Sequence, residues 1–134
     1  MCATVGLHVA FHHDEGVYKH WGLFMDGPTN TDKIVLQIMG SSTNYRFDPI
    51  TSDPRESDTL EELIHLCDVP VSKINAIKDT ARNAPIHNEY PGYNCQDYVL
   101  DLLDDLEEKG IIDKKDKKYQ QKKEIVKSKQ EELI

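Results

Sequence analysis

The chain has 134 residues, a hydrophobic content of 38% and a formal net charge of −8. This length supports one hydrophobic core of ordinary size rather than two, and the apolar content argues against disorder over most of the chain. The negative charge disfavours nucleic-acid binding, and no segment resembles a secretory leader or the roughly 18 apolar residues of a membrane span, so we expect a cytoplasmic protein without stable membrane insertion.

Charge is distributed unevenly along the chain. Residues 1–112 carry 8 Lys and Arg against 19 Asp and Glu, a net charge of −11, whereas residues 113–134 carry 8 Lys against 5 acids, a net charge of +3. We therefore divide the chain into one globular domain at 1–112 and a basic, polar helical tail at 113–134. Because the tail has few apolar anchors, among them Ile125, Val126 and Leu133, we expect a solvated, peripheral helix or a frayed tail.

The first half of the chain predicts a small antiparallel sheet. In residues 4–11 the apolar side chains alternate with period two, which is typical of a half-buried strand. Residues 19–25 and 33–39 are apolar at nearly every position, as in strands covered on both faces, and the turn that follows Asp26 predicts that they form a hairpin. A short strand at residues 45–47 is expected next.

The second half predicts helices, which gives an α+β fold. Residues 60–67 fit neither the strand period nor the helix period, whereas residues 71–84 favour a helix. A longer helix follows Asn94 and stops at Gly110. Its apolar stripe consists of Tyr98, Val99, Leu102, Leu103 and Leu106.

Cys95 is predicted at the first position of this longer helix. Asn94 is a suitable N-cap, and Asp97 lies where its carboxylate can complete a capping box. The backbone N–H groups and the dipole of a helix N-terminus favour a thiolate, although the charge of Asp97 opposes it. A buried, inert cysteine fits these local features equally well.

The other cysteines indicate no further chemistry. Cys2, Cys67 and Cys95 are odd in number and lack the spacing of a metal site, so we expect reduced thiols, no disulfide, no metal and no bound cofactor. Cys2 could serve as an N-terminal nucleophile after removal of Met1, but its neighbours supply no base.

His20 is the histidine that most needs a partner. It lies inside an apolar strand immediately before Trp21, where an unpaired imidazole would be costly to bury. A base for the cysteine and a satisfied core histidine are both consistent with this position, because sequence spacing cannot bring His20 to Cys95.

Two motifs together resemble those of a known family. The sequence YKHWGLF at residues 18–24 and the sequence NCQDYV at residues 94–99 are similar to the Y-x-H-W-A-[IL]-Y strand and the N-C-E-H-F helix start of the lecithin:retinol acyltransferase and phospholipase A/acyltransferase family. That family is the permuted branch of the NlpC-like papain superfamily. The resemblance implies a permuted papain-like fold with a small antiparallel sheet packed against helices.

The resemblance also implies a site and a reaction. By position, the nucleophile of the family falls on Cys95, its base on His20 and the polar residue that orients the base on Gln37. The expected substrate is an acyl ester or a peptide amide, which would pass through an acyl-thioester on Cys95 to water or to an acceptor.

Departures from the family pattern leave alternatives open. Gly22 replaces the usual Ala, Gln96 and Asp97 replace Glu and His, the loop between the first two motif strands is longer, and the hydrophobic membrane anchor has no counterpart. A permuted papain-like isopeptidase is one alternative, since a soluble peptide substrate needs no anchor. A non-catalytic binding module on the same fold, with the tail as a partner-binding helix, is the other.

Overall fold

The computed structural model describes residues 4–13 and 19–130 of the chain. Its elements, in chain order, are β1 (Thr4–His12), β2 (His20–Asp26), β3 (Lys33–Leu36), β4 (Ile38–Met39), β5 (Arg46–Phe47), β6 (Ile50–Thr51), β7 (Leu60–Pro70), α1 (Ile74–Asn83), α2 (Cys95–Glu108) and α3 (Lys117–Ser128). The predicted α+β class is confirmed. No helix within these two ranges has the length and apolar character needed to cross a bilayer.

Five strands form one antiparallel sheet in the order β6-β3-β2-β1-β7, and β4 pairs with β5 in a separate ribbon. The predicted hairpin of β2 and β3 is present. Its strands are tied at the turn by Lys33, whose Nζ donates to Asp26 Oδ1 at 2.6 Å. The sheet therefore places β2, which carries His20, in its centre.

The two faces of β2 have different environments. Trp21 and Leu23 are fully buried in the hydrophobic core, which also includes the buried side of α2. Because side chains alternate along a strand, His20 and Gly22 project from the opposite face. The candidate base is thus held by a core strand without lying in the core.

The strand predicted at residues 33–39 is interrupted at Gln37, so that prediction was wrong at this residue. β3 pairs with β2 only as far as the Leu36–Leu23 pair, and β4 then pairs with β5. The carbonyl of Gln37 accepts from the backbone N–H of Asp48 at 2.9 Å. The edge of β2 beside His20 is therefore not covered by β3.

Residues 60–67, which fit neither period, belong to the 11-residue strand β7. The pairing with β1 shifts register between Leu7, which lies opposite Cys67, and His8, which lies opposite His65. Leu66 is the extra residue of this bulge and is buried. An inserted residue breaks the period-two pattern, which explains why the sequence did not predict this strand.

The tail helix packs against the rest of the protein rather than lying in solvent, so the expectation of a solvated helix was wrong for α3. Tyr119 and Val126 are fully buried and belong to the same core as the sheet and α2. Lys123 lies between them and is only 7% exposed, with its Nζ bonded to Asp104 and Glu107 of α2. Ile125 is 45% exposed, and Leu133 lies outside the described residues.

Candidate active site

The start of α2 has the predicted cap. The side chain of Asn94 accepts from the backbone N–H of Gln96 at 2.8 Å, and Asp97 Oδ2 accepts from the backbone N–H of Asn94 at 3.0 Å. These reciprocal bonds form a capping box, and Cys95 is the first helical residue. The cap fixes the direction in which the helix presents its N-terminus and the thiol.

The sulfur of Cys95 lies against the backbone of β2. Cys95 Sγ is 3.4 Å from the backbone nitrogen of Trp21, which donates to it, and 3.8 Å from the carbonyl oxygen of Lys19. These two backbone groups flank His20, and both point toward the strand edge that β3 leaves uncovered. A donor directed at sulfur favours the ionised form over the thiol.

Gln96 holds the helix start on the same strand end. Its side chain is fully buried, and Nε2 donates to the carbonyl oxygen of Lys19 at 3.1 Å. Lys19 thus anchors both the sulfur and the neighbouring amide. Together with the contact between Cys95 and Trp21, which are 74 residues apart in the sequence, this bond holds the start of α2 against β2.

Gln37 bonds to His20, as the sequence predicted. His20 Nε2 donates to Gln37 Oε1 at 2.6 Å, and Gln37 is only 5% exposed. Because the proton is on Nε2 in this arrangement, Nδ1 carries the lone pair and is the basic nitrogen. His20 and Gln37 are thus bonded to each other, and Cys95 Sγ lies against the backbone of Lys19 and Trp21, the two neighbours of His20 in the chain.

His12 is a neighbour of the site that the sequence did not predict. It lies directly opposite His20 in the β1–β2 register, with the ring centroids 6.1 Å apart, and its Nδ1 lies 3.0 Å from Thr59 Oγ1. Burial, followed by the proximity of His20, lowers the pKa of His12. Only strand register identifies this neighbour, and register is not readable from residue spacing.

The other cysteines lie outside this arrangement. Cys67 is a half-buried residue of β7 whose pKa is raised to about 12, first by burial and then by the charges of Asp68 and Asp116. Such a thiol is not ionised near neutral pH. Cys2 lies outside the described residues, as does Tyr18, the first residue of the strand motif.

Metal chemistry receives no support from the part of the chain that the structure describes. No group of three or more His, Cys, Asp or Glu within residues 4–13 and 19–130 is arranged to hold a metal ion. The reactive or polar side chains at the start of β2 are the thiol of Cys95, the imidazole of His20 and the amide of Gln37.

The comparisons with known proteins give a family but no activity. No curated protein and no solved structure matches this sequence. Residues 7–113 match the model of a family of unknown function, DUF6540, and because that match spans well over half of the chain, the protein belongs to this family.

Proposed function

We propose that the protein is a cysteine-dependent hydrolase or acyltransferase on a permuted papain-like fold, with Cys95 as nucleophile and His20 as base. One observation carries the proposal. Cys95 Sγ contacts the two backbone groups that flank His20, while Gln37 accepts a hydrogen bond from Nε2 of the His20 ring. Nucleophile, base and orienting group are the parts that nucleophilic catalysis requires.

The reaction begins with proton transfer from the Cys95 thiol to Nδ1 of His20. The thiolate attacks the carbonyl carbon of an ester or amide, and the resulting oxyanion is stabilised by the backbone N–H of Cys95 at the helix start. The imidazolium returns its proton to the departing alcohol or amine, which leaves an acyl-thioester on Cys95. Water or an acceptor then loses a proton to His20 and attacks the thioester, which releases the acyl group and restores the thiol.

Two features of the surroundings of the sulfur favour the thiolate form of Cys95. The Trp21 backbone N–H donates to the sulfur, and the positive end of the α2 dipole lies at the same point. Asp97, two residues away, acts in the opposite direction, but its carboxylate accepts from Asn94 and from Gln130. These bonds disperse part of its charge.

The test is to trap the acyl-thioester and to compare four forms of the protein. The parent should form a thioester with a p-nitrophenyl acyl ester that survives acid quench and adds the acyl mass to the peptide containing Cys95. Cys95→Ala and His20→Ala should each abolish turnover, and the double variant should lose little more, because nucleophile and base act as a unit. Cys67→Ala is the matched control and should keep full activity.

Three outcomes separate the alternatives. Reaction with a glycine-terminated ubiquitin-like probe, but not with simple esters, would identify an isopeptidase that uses the same residues. Full turnover by a well-folded Cys95→Ala protein would exclude covalent catalysis at this site. Inertness of the parent toward every probe, with an unchanged melting temperature in the variants, would instead favour a binding module.

A further inference from the structure

A polar cavity is lined by the side chain of Lys19, the residue before β2 whose carbonyl contacts the nucleophile. It has a volume of about 220 Å³ and is lined by Phe11, Lys19, Glu61, Glu62 and Lys129. The carbonyl of Lys19 contacts Cys95 Sγ and accepts from Gln96, so Lys19 contributes its backbone to the surroundings of the thiol and its side chain to the cavity. The volume corresponds to about seven water molecules, enough for one amino-acid residue.

The walls of this cavity carry two opposite pairs of charges. Lys19 Nζ lies 3.0 Å from Glu61 Oε2, and Lys129 Nζ lies 3.0 Å from Glu62 Oε1. All four side chains are between 36% and 52% exposed, and ion pairs in that environment contribute little to stability. A ligand that brings its own charges can therefore replace these partners at little cost.

The charge pattern selects the chemistry of the ligand. Two ammonium groups and two carboxylates complement a group that itself carries both a carboxylate and an ammonium. A hydrocarbon chain in the same place would remove water from two ion pairs and offer them no polar contact in return, which is unfavourable. The cavity is thus suited to an amino-acid or peptide moiety rather than to a fatty acyl chain.

The tail connects this cavity to the helix of the nucleophile. Lys129 follows the last residue of α3, and the next residue, Gln130, donates from Nε2 to Asp97 Oδ1 at 2.7 Å. Asp97 belongs to the first turn of α2, where it completes the cap that positions Cys95. One wall of the cavity is therefore supplied by residues that follow the 7–113 segment matched by the family.

We propose that this cavity is the substrate subsite of the thiol chemistry and that it binds a zwitterionic amino-acid or peptide group. Lys129 and Lys19 bind the carboxylate, Glu61 and Glu62 bind the ammonium group, and Lys129 makes the tail a determinant of specificity. The inference rests on the proposed function, because it assigns a substrate class to Cys95.

The kinetic test uses two amides of 7-amino-4-methylcoumarin, one with an aspartyl group and the other with an octanoyl group. The aspartyl amide should be cleaved with a kcat/KM at least tenfold higher. Lys129→Glu should lower that value about tenfold and leave the octanoyl amide unaffected, and the exchange Lys129→Glu with Glu62→Lys should restore most of the loss. Lys127→Glu, a change of equal charge at an exposed residue two positions before Lys129, is the matched control and should have no effect.

A binding test separates failure of the subsite from failure of the chemistry. Calorimetric titration of Cys95→Ala protein with the aspartyl amide needs no turnover, and Lys129→Glu in that background should raise the Kd about tenfold. Binding with this dependence, but without cleavage by the parent, would retain the subsite and reject the thiol chemistry. Cleavage of the octanoyl amide equal to that of the aspartyl amide, or no effect of Lys129→Glu in either test, would overturn the subsite.

Discussion

The ring of His20 donates a hydrogen bond from Nε2 to the side-chain oxygen of Gln37 over 2.6 Å, and Gln37 is buried. The bond assigns the proton to Nε2 and leaves Nδ1 as the basic nitrogen. Gln37 is neutral, so it fixes the orientation and tautomer of the ring without adding a charge. Substitutions of Gln37 can therefore distinguish the effect of orienting the ring from the effect of placing a charge beside it.

Gln37→Leu should lower kcat/KM by roughly ten- to a hundredfold and lower the free energy of unfolding much less. The expected loss corresponds to about 1.5–3 kcal/mol, the range for a hydrogen bond to a group that becomes charged in the reaction. Gln37→Glu should keep the orientation and add a negative charge, which raises the pKa of the His20 imidazole. The acidic limb of the kcat/KM profile should then move to higher pH.

The measurement is the pH profile of kcat/KM together with the melting temperature of each variant. A purely structural role for Gln37 predicts that both variants lose stability and activity in parallel and that the acidic limb stays in place. That result would remove Gln37 from the site.

Cys95 should react with iodoacetamide before Cys67. At pH 8 a thiol with a pKa of about 12 is ionised to only about one part in ten thousand, whereas Cys95 lies at a helix N-terminus with an N–H directed at its sulfur. Limited labelling followed by peptide mass spectrometry measures the order of reaction. His20→Ala should slow the labelling of Cys95 and leave Cys67 unchanged.

A Cys95→Ser protein is the control, because it reports the label taken up by Cys2 and Cys67 alone. Rapid labelling of Cys67 in the folded parent would contradict the assignment of Cys95 as the reactive thiol. The rate of labelling would then depend on the solvent exposure of each cysteine rather than on the environment of Cys95.

The residues of the candidate site were predictable because their signals are local. Asn94, Cys95 and Asp97 form a cap within one turn, and a cap depends on residue types at fixed spacing. The contact between His20 and Gln37 was implied by the family resemblance, which assigns the polar residue that orients the base to Gln37. The meeting of Cys95 with β2 came only from resemblance, because no spacing rule links residues 74 positions apart.

The features that the sequence missed all depend on tertiary pairing. His12 lies opposite His20 because of strand register, and Leu66 breaks the pattern of β7 because a bulge inserts one residue. The tail was predicted as a helix, but its burial was missed because Lys123 lies between Tyr119 and Val126 on its buried face. From sequence alone a lysine is assigned to a solvent-exposed face. The burial of Lys123 is explained only by its ion pairs with Asp104 and Glu107.

The stability of the protein should fall below pH 6.5, and His8 should cause part of the loss. Burial, followed by the charge of His65, lowers the pKa of His8 to about 4; Asp26 and Asp68 act in the opposite direction, and Arg55 lowers the pKa further. In the unfolded chain His8 therefore binds a proton near pH 6.5, whereas in the folded protein it binds one only near pH 4. The contribution of neutral His8 to stability is complete above pH 6.5 and is lost as pH falls toward 4.

Chemical unfolding at pH 7 and at pH 4.5 measures this contribution. The ring is partly exposed, so we expect about 1 kcal/mol rather than the roughly 3 kcal/mol of a fully effective shift. His8→Gln should reduce the pH-dependent loss by that amount, and His13→Gln, which removes a mostly exposed imidazole, should not. Equal losses in the parent and in His8→Gln would refute the assignment.

The side chain of Val35 occupies the space that a side chain at position 22 would need, so we expect substitutions at Gly22 and Val35 to be coupled. A Cβ at Gly22 would lie 2.5 Å from Val35 Cγ1 and 3.6 Å from Gln37 Oε1. Val35 is 2% exposed and stiff at its branched carbon, so it cannot move aside cheaply. The family that the sequence resembles has Ala at this position, and the space for it is filled here from the neighbouring strand.

Gly22→Ala alone should therefore destabilise the protein by about 1–3 kcal/mol, the range for overpacking a close-packed region. Val35→Ala alone should also destabilise it, because it leaves a cavity. The double variant should cost clearly less than the sum, since the new methyl group occupies the space that Val35 vacates. Urea unfolding of the four forms gives the coupling free energy between the two positions. Additive losses, or a Gly22→Ala variant as stable as the parent, would show that Val35 does not limit the space at Gly22.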